Sequence, residues 1–324
     1  MQNNETLLKV ENLCQYFKMG NSCTKAVDDV SFEVKKGEVF GLVGESGCGK
    51  TTLGKCIVRL LKPSAGKILY NDDGEMKDLL NLPKKESKAM RRKVQIVFQD
   101  PYASLNPQHT ILEAFDEPMR VHGVGGNKEQ RKELIAKALE RVNLQPEYMY
   151  RYPHEFSGGQ RQRICVAKAL VLEPKLIVCD EPVSALDVSI QAQLLNLMNK
   201  LQAELGVTFI FIAHDLSVVQ YMSDRIGVMY LGNMVELADA DELYNNTMHP
   251  YTEALLSAVP IPVINGKKDR IILEGDVPSP MNPPSGCPFH PRCSKCMEIC
   301  KQEKPQLGEK RDGHFVACHL FENK

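Results

Sequence analysis

Gly44-Glu45-Ser46-Gly47-Cys48-Gly49-Lys50-Thr51-Thr52 follows directly on Val39-Phe40-Gly41-Leu42-Val43. The stretch fits G-x-x-x-x-G-K-[ST], a glycine-rich loop whose backbone N–H groups cradle phosphates. Its glycines let the chain turn tightly enough to aim successive N–H groups at phosphate oxygens. Lys50 brings a point charge to the β- and γ-phosphates, and the Thr51 hydroxyl suits a Mg²⁺ ion. The context fits as well. The preceding apolar run has the length and composition of a strand buried on both faces, and Lys50–Leu61 continues with helical periodicity. A chance glycine turn ending in Lys-Thr would lack that strand–turn–helix setting.

Two further segments complete this chemistry. In Leu176-Ile177-Val178-Cys179-Asp180-Glu181-Pro182 an apolar strand ends in paired acids. Asp180 is thereby expected at the carboxyl edge of the sheet, in the Mg²⁺ shell, with Glu181 placed to orient and polarise an attacking water. Ser157-Gly158-Gly159-Gln160-Arg161-Gln162-Arg163 opens another helix. Serine and two glycines at a helix start form a second anion site, made of exposed N–H groups and the positive end of the dipole. Two phosphate-binding helix starts with one acid pair imply that each cradle is completed by the Ser-Gly-Gly of another subunit.

With these residues in order, the sequence resembles the ABC-type ATPases, and Phe156-Ser157-Gly158-Gly159-Gln160-Arg161-Gln162-Arg163 is similar to that family's signature. The resemblance implies a set of roles. Phe17 would stack on adenine, with Tyr16 as the fallback. Gln99 would touch Mg²⁺ and water and couple to a membrane subunit. Asp187 would speak across a dimer, and His214 would reach the γ-phosphate. Glu45, Ser46, Gly47, Cys48, Gly49 and Thr52 complete the nucleotide loop. Phe156 departs from the leucine that many members carry.

Composition bounds the remaining classes. The chain has 324 residues, a formal net charge of −1 and 43% hydrophobic residues, which gives no support for a broad nucleic-acid or lipid-headgroup surface. The densest basic cluster, Lys84, Lys85, Lys88, Arg91, Arg92 and Lys93, reads as a solvated loop and helix end. No apolar run approaches the roughly 20 residues of a spanning helix, and the N-terminus lacks a secretory pattern. The chain is therefore expected at the cytoplasmic face of the membrane, held there by partners.

Strands alternating with helices predict an α/β fold with a mostly parallel sheet covered on both sides. The resemblance specifies it: a P-loop NTPase of the ABC type, with N-terminal antiparallel strands and a helical subdomain over about 101–169. The ATPase domain is expected over 1–259. From Pro260 the composition shifts to Pro, Gly, Cys and Lys, marking an extension over 260–324.

That extension holds Cys287, Cys293, Cys296, Cys300 and Cys318 among the eleven cysteines of the chain. Thiols gathered in a hydrophobe-poor cytosolic segment suit Zn²⁺ or an iron–sulfur cluster. His290, His314 and His319 keep zinc open. The tail, with Gln99–Pro107 and His249-Pro250-Tyr251-Thr252, is similar to the ATPases of oligopeptide/dipeptide importers, and Gln99–Pro107 resembles in wording the F-type subunit more than its D-type partner. That resemblance implies ATP and Mg²⁺, and a 4Fe–4S cluster on Cys287, Cys293, Cys300 and Cys318. It also implies a second, non-identical ATPase subunit, two transmembrane permeases and an extracytoplasmic binding protein, with no nucleic acid. Nickel and glutathione importers use similar ATPases. A soluble ABC protein of translation or repair fits less well, because such proteins carry two cassettes or long inserted domains.

Overall fold

A computed structural model describes residues 5–20, 22–259 and 270–322. Along the chain run β1 (Thr6–Met19), β2 (Ser22–Lys35), β3 (Val39–Val43), α1 (Lys50–Ile57), β4 (Ala65–Asp72) and β5 (Glu75–Asp78). There follow α2 (Lys84–Lys93), β6 (Val94–Val97), α3 (Pro101–Ser104), α4 (Ile111–His122), α5 (Lys128–Arg141) and α6 (Gly158–Leu170). Next come β7 (Leu176–Asp180), α7 (Val188–Leu205), β8 (Thr208–Ile212), α8 (Leu216–Met222), β9 (Arg225–Tyr230) and β10 (Asn233–Asp239). The chain closes with α9 (Ala240–Asn245), α10 (Pro250–Ser257), α11 (Glu298–Gln302), β11 (Gly308–Arg311) and β12 (His314–Val316). The strand–helix alternation of the sequence is there. The composition boundary expected at Pro260 falls on residues 260–269, outside the described residues.

The chain forms two compact units. One consists mainly of Asn81–Phe211. In it β6 and β7 pair in parallel, Val94 opposite Leu176 and Val97 opposite Cys179. Every residue of β7 and β8 is buried, so continuous apolar runs such as Thr208-Phe-Ile-Phe-Ile are strands covered on both faces. Full burial of Phe209 and Phe211 stabilises the unit by about 3 kcal/mol each. The helices α3 to α6 occupy the segment expected to be a helical subdomain, and three start with a capping box: Thr110–Glu113 for α4, Asn127–Gln130 for α5 and Ser157–Gln160 for α6. The basic cluster, expected as a loop and helix end, is helical throughout, in α2. With Arg120, His122 and Lys175 it lines a cavity of about 710 Å³.

The other unit gathers Thr6–Val34, Glu38–Leu80 and Ile212–Lys324. Its antiparallel sheet has the order β2-β1-β4-β5, with Leu8 opposite Tyr70. A second set of strands holds the glycine-rich loop: β3 pairs in parallel with β9, Phe40 opposite Arg225 and Val43 opposite Val228. Strand β10 turns back antiparallel on β9 through Leu231 and Gly232, both at positive φ. The C-terminal segment adds to the same set, since β12 pairs with β10 and β11 with β12. Among the described residues no helix is long and apolar enough to cross a membrane.

Candidate functional site

The glycine-rich loop leaves β3 at Gly44, and its geometry explains its composition. A Cβ on Gly44 would lie 2.1 Å from the Met229 carbonyl oxygen, and one on Gly49 2.0 Å from that of Ala26. Both neighbours are backbone that cannot move aside, and Gly44, Gly47 and Gly49 all have positive φ, so glycine is required. Gly49 starts α1 without a side-chain cap, and a helix start of this kind suits an anion. Lys50 is buried, and its Nζ donates to the carbonyl oxygens of Gly44 (2.7 Å) and Glu45 (3.0 Å). The ammonium is thus held over the loop's own arc. Burial pushes the neighbouring Cys48 thiol up, so this cysteine is neutral filler and not a nucleophile. Thr51 and Thr52 are half-buried on the first turn of α1.

Glu45 is gripped from two directions, which the sequence reading missed. Its backbone N–H donates to Tyr251 Oη at 2.9 Å. Its carboxylate accepts two bonds from the Arg292 guanidinium, at 2.8 and 3.2 Å. Elsewhere in this unit Tyr16 donates its hydroxyl to Asp28 at 2.6 Å, while Phe17 stays 38% exposed. Of the two aromatic candidates for adenine, Phe17 is the one presented to solvent. His214 is exposed, one residue after Ala213, whose N–H donates to the Leu42 carbonyl in β3.

The acid pair belongs to the other unit. Asp180 is buried at the end of β7. Glu181 follows at a φ of 47°, a left-handed conformation that costs a non-glycine residue about 1 kcal/mol or more and concentrates at functional sites. Gln99, distant in sequence, donates Nε2 to Glu181 Oε2 at 3.1 Å and to Ser184 Oγ at 3.3 Å. Two residues assigned to water activation are therefore brought together. Asp187 caps α7, accepting from the Ile190 N–H at 3.0 Å.

The second helix start is more self-sufficient than expected. Ser157 and Gln160 form a capping box, each side chain accepting from the other's backbone N–H, so the serine hydroxyl serves its own helix. Gly159 has a packing reason too: a Cβ there would lie 2.5 Å from Ile190 Cγ2. Arg161, unassigned from sequence, is buried. It donates Nε to the Pro153 carbonyl at 2.6 Å and lies 3.9 Å over the Tyr102 ring. Phe156 fills a buried place edge-on to Tyr148, with centroids 5.5 Å apart, which accounts for an aromatic at this position.

All eleven cysteines are free thiols. Cys287, Cys300 and Cys318 are buried and Cys293 half-buried. Burial, aided by neighbouring tail thiols, pushes Cys287 up to about 12 and Cys318 up to about 11. The thiols are neighbours, yet among the described residues no three His, Cys, Asp or Glu side chains converge closely enough to hold a metal ion. The histidines that kept zinc open are otherwise engaged. His314 meets Glu236 (2.8 Å) and Glu242 (3.3 Å), and His319 meets the Glu303 carbonyl and Glu322. His290 Nδ1 lies 3.0 Å from the Cys287 carbonyl oxygen. What remains for a metal is thiol chemistry alone, without the mixed Cys/His set.

Comparison with known proteins identifies the family. Residues 27–184 match the ABC transporter family, and residues 235–300 match the oligopeptide/dipeptide transporter C-terminal region. A putative oligopeptide transport ATP-binding protein of Bacillus subtilis, YkfD, is 53% identical over 98% of this chain and 96% of its own length. The oligopeptide transport ATP-binding protein AppF of the same organism is 52% identical over 98% of each. Among solved structures, a dimeric post-hydrolysis state of the ATP-binding cassette MJ0796, bound to ADP and phosphate, superposes with a TM-score of 0.63. It is 30% identical and covers 72% of this chain and 99% of that one.

Proposed function

This chain belongs to the ATP-binding proteins of ABC transporters, in the oligopeptide/dipeptide branch, and from that premise we propose that it binds and hydrolyses ATP to drive import of oligopeptides or dipeptides. The observation that carries the reading is the loop Gly44–Thr52. Its glycines admit only backbone at two positions, and its lysine ammonium is already held over the arc. The peptide assignment rests on the match of residues 235–300.

The roles follow from the residues. Backbone N–H groups of the loop and the start of α1 would bind the phosphates, with Lys50 offsetting their charge. Thr51, Asp180 and Gln99 would hold Mg²⁺, which supplies charge neutralisation for phosphoryl transfer. Glu181 would take a proton from the attacking water, with Gln99 orienting both. His214 would contact the γ-phosphate, and Phe17 the adenine. Ser157, Gly158, Gly159 and Gln160, with Asp187, would complete the cradle of a second ATPase subunit, an F-type chain pairing with a non-identical partner. The ATPase domain would span 1–259. Two permeases and an extracytoplasmic binding protein would complete the importer and hold this chain at the cytoplasmic face. On the tail thiols we place a 4Fe–4S cluster bound by Cys287, Cys293, Cys300 and Cys318; among the described residues these thiols do not converge closely enough for a metal, so binding would have to draw them together. Anaerobic purification should then yield iron and labile sulfide, and absence of both removes the cluster.

Two substitutions test the ATP reading. Glu181→Gln should keep ATP binding and lower turnover at least about 100-fold, the scale of general-base catalysis. Lys50→Ala should lose binding itself. Full turnover in the first variant contradicts the role of Glu181. Once the chain is assembled with its membrane subunits in vesicles, ATP hydrolysis should rise with peptide but not with nickel or glutathione.

A further inference from the structure

Resting on the reading of Gly44–Thr52 as the phosphate cradle, we propose that Tyr251 and Arg292 are positioning residues for ATP. They hold Glu45 and so make the cysteine-bearing tail part of the nucleotide site. The argument starts from the carboxylate. Glu45 is the second residue of a loop built to receive a polyanion, so an unrestrained carboxylate there would repel the ligand and pull the loop with it. Arg292 removes both problems: its planar fork meets both Glu45 oxygens, at 2.8 and 3.2 Å, a geometry that fixes direction as well as charge. Its side chain is 8% exposed against 26% for Glu45, so solvent screens the pair only in part. Tyr251, fully buried, fixes the backbone of the same residue by accepting the Glu45 N–H at 2.9 Å.

The local fold of the tail delivers both anchors together. His290–Arg292 is a single 3₁₀ turn, closed by the Arg292 N–H on the Phe289 carbonyl at 3.0 Å. In such a turn residues three apart eclipse, so Phe289 and Arg292 share one face. Phe289 is buried against Tyr251 and Tyr230, with centroids at 5.4 and 5.2 Å. The turn therefore packs on the ring whose hydroxyl holds the Glu45 amide, while Arg292 takes the Glu45 carboxylate. Cys287 and Cys293 bracket the turn. Gly286 seats it, because a Cβ there would lie 2.4 Å from the Cys300 carbonyl oxygen. Residues 277–280 line, with Glu45–Cys48, a cavity of about 250 Å³.

The test measures binding of a fluorescent ATP analogue on the full chain, and ATP turnover at saturating ATP on the transporter assembled from it. Arg292→Ala should weaken ATP binding about tenfold, the size of a lost hydrogen bond to a charged group. Turnover at saturating ATP should stay within about twofold, a shift in KM without one in kcat. Arg292→Lys, which keeps charge but loses the fork, should fall between. Tyr251→Phe should weaken binding about fivefold, through an unsatisfied Glu45 N–H. The decisive variant is the double change Arg292→Ala with Glu45→Gln. With the carboxylate gone it should recover most of the lost affinity, which a general folding defect would not allow. Wild-type affinity in Arg292→Ala and Tyr251→Phe, while Lys50→Ala loses binding, overturns the positioning role and leaves the cradle intact. A double variant as weak as Arg292→Ala, with both melting early, also overturns it. Unimpaired binding in Lys50→Ala would instead remove the cradle reading.

Discussion

Glu236 is a carboxylate with no exposure to water, and two histidines of opposite behaviour answer for it. It accepts the N–H groups of Met248 (2.7 Å) and His249 (3.2 Å) and faces His314 Nε2 at 2.8 Å. Burial opposes a charge on His314, but the Glu236 and Glu242 carboxylates outweigh it and its pKa is raised. His249, fully buried, is instead pushed down to about 4 by burial, with Glu236 only partly opposing. It stays neutral, using Nδ1 to accept the Tyr251 N–H and cap α10. The signs follow by linkage. Below about pH 6.5 unfolded His249 takes a proton that the folded residue refuses, so stability falls as pH drops from about 6.5 toward 4. The His314 contribution is full below about pH 6.5 and fades as pH rises through its raised value. His249→Asn keeps a capping acceptor and removes the titration. Between pH 6.5 and 5 it should spare about 2 kcal/mol of acid destabilisation, read from denaturant melts at the two pH values. Equal losses in both proteins would refute this. None of it was legible in the sequence, where His249-Pro250-Tyr251-Thr252 served only as a subfamily mark, because the partner carboxylate lies on another strand.

At the scale of elements, legibility follows how locally each piece is held. Strand β3 has the bounds its sequence predicts, since an apolar run carries its own signal. Helix α2, Lys-Lys-Glu-Ser-Lys-Ala-Met-Arg-Arg-Lys, buries only Met90, so it has no apolar stripe to read, and charge alone suggested a loop and a helix end. Strands β11 and β12 exist through pairing to β10, a contact no local window contains. The two glycines of the Ser-Gly-Gly start were read for anion binding, but Gly159 also answers to α7. Gly159→Ala should cost about 1–3 kcal/mol by overpacking, and Ile190→Ala in the same chain should return part of it, a coupling visible in a double-mutant cycle. Additive losses would count against the contact. Gly49→Ala has no such remedy, because its Cβ meets the Ala26 backbone. That variant should lose the loop whatever else is changed, which nucleotide binding would report.

For the whole molecule, the tail belongs to the unit that holds the glycine-rich loop, where composition alone suggested an appendage. Ending the chain before β11 removes His314 from Glu236 and uncovers the edge of β10. Leaving a buried carboxylate unpaired costs about 3–5 kcal/mol, so such a chain should melt far earlier or be recovered insoluble, and full-length stability in it would contradict the role of the β10–β12 pair. The division of the chain also sets an order of birth. The Asn81–Phe211 unit is nearly contiguous and can close as soon as it leaves the ribosome. Strand β3, by contrast, waits for β9, since Phe40 pairs with Arg225. At about 5–20 residues per second of synthesis this is a delay of roughly 10–40 s, during which an apolar strand is available to chaperones. Arg292 emerges later still. A half-made polypeptide therefore carries Gln99, Asp180 and Glu181 before β9 has emerged to pair with β3 and before Arg292 can reach Glu45.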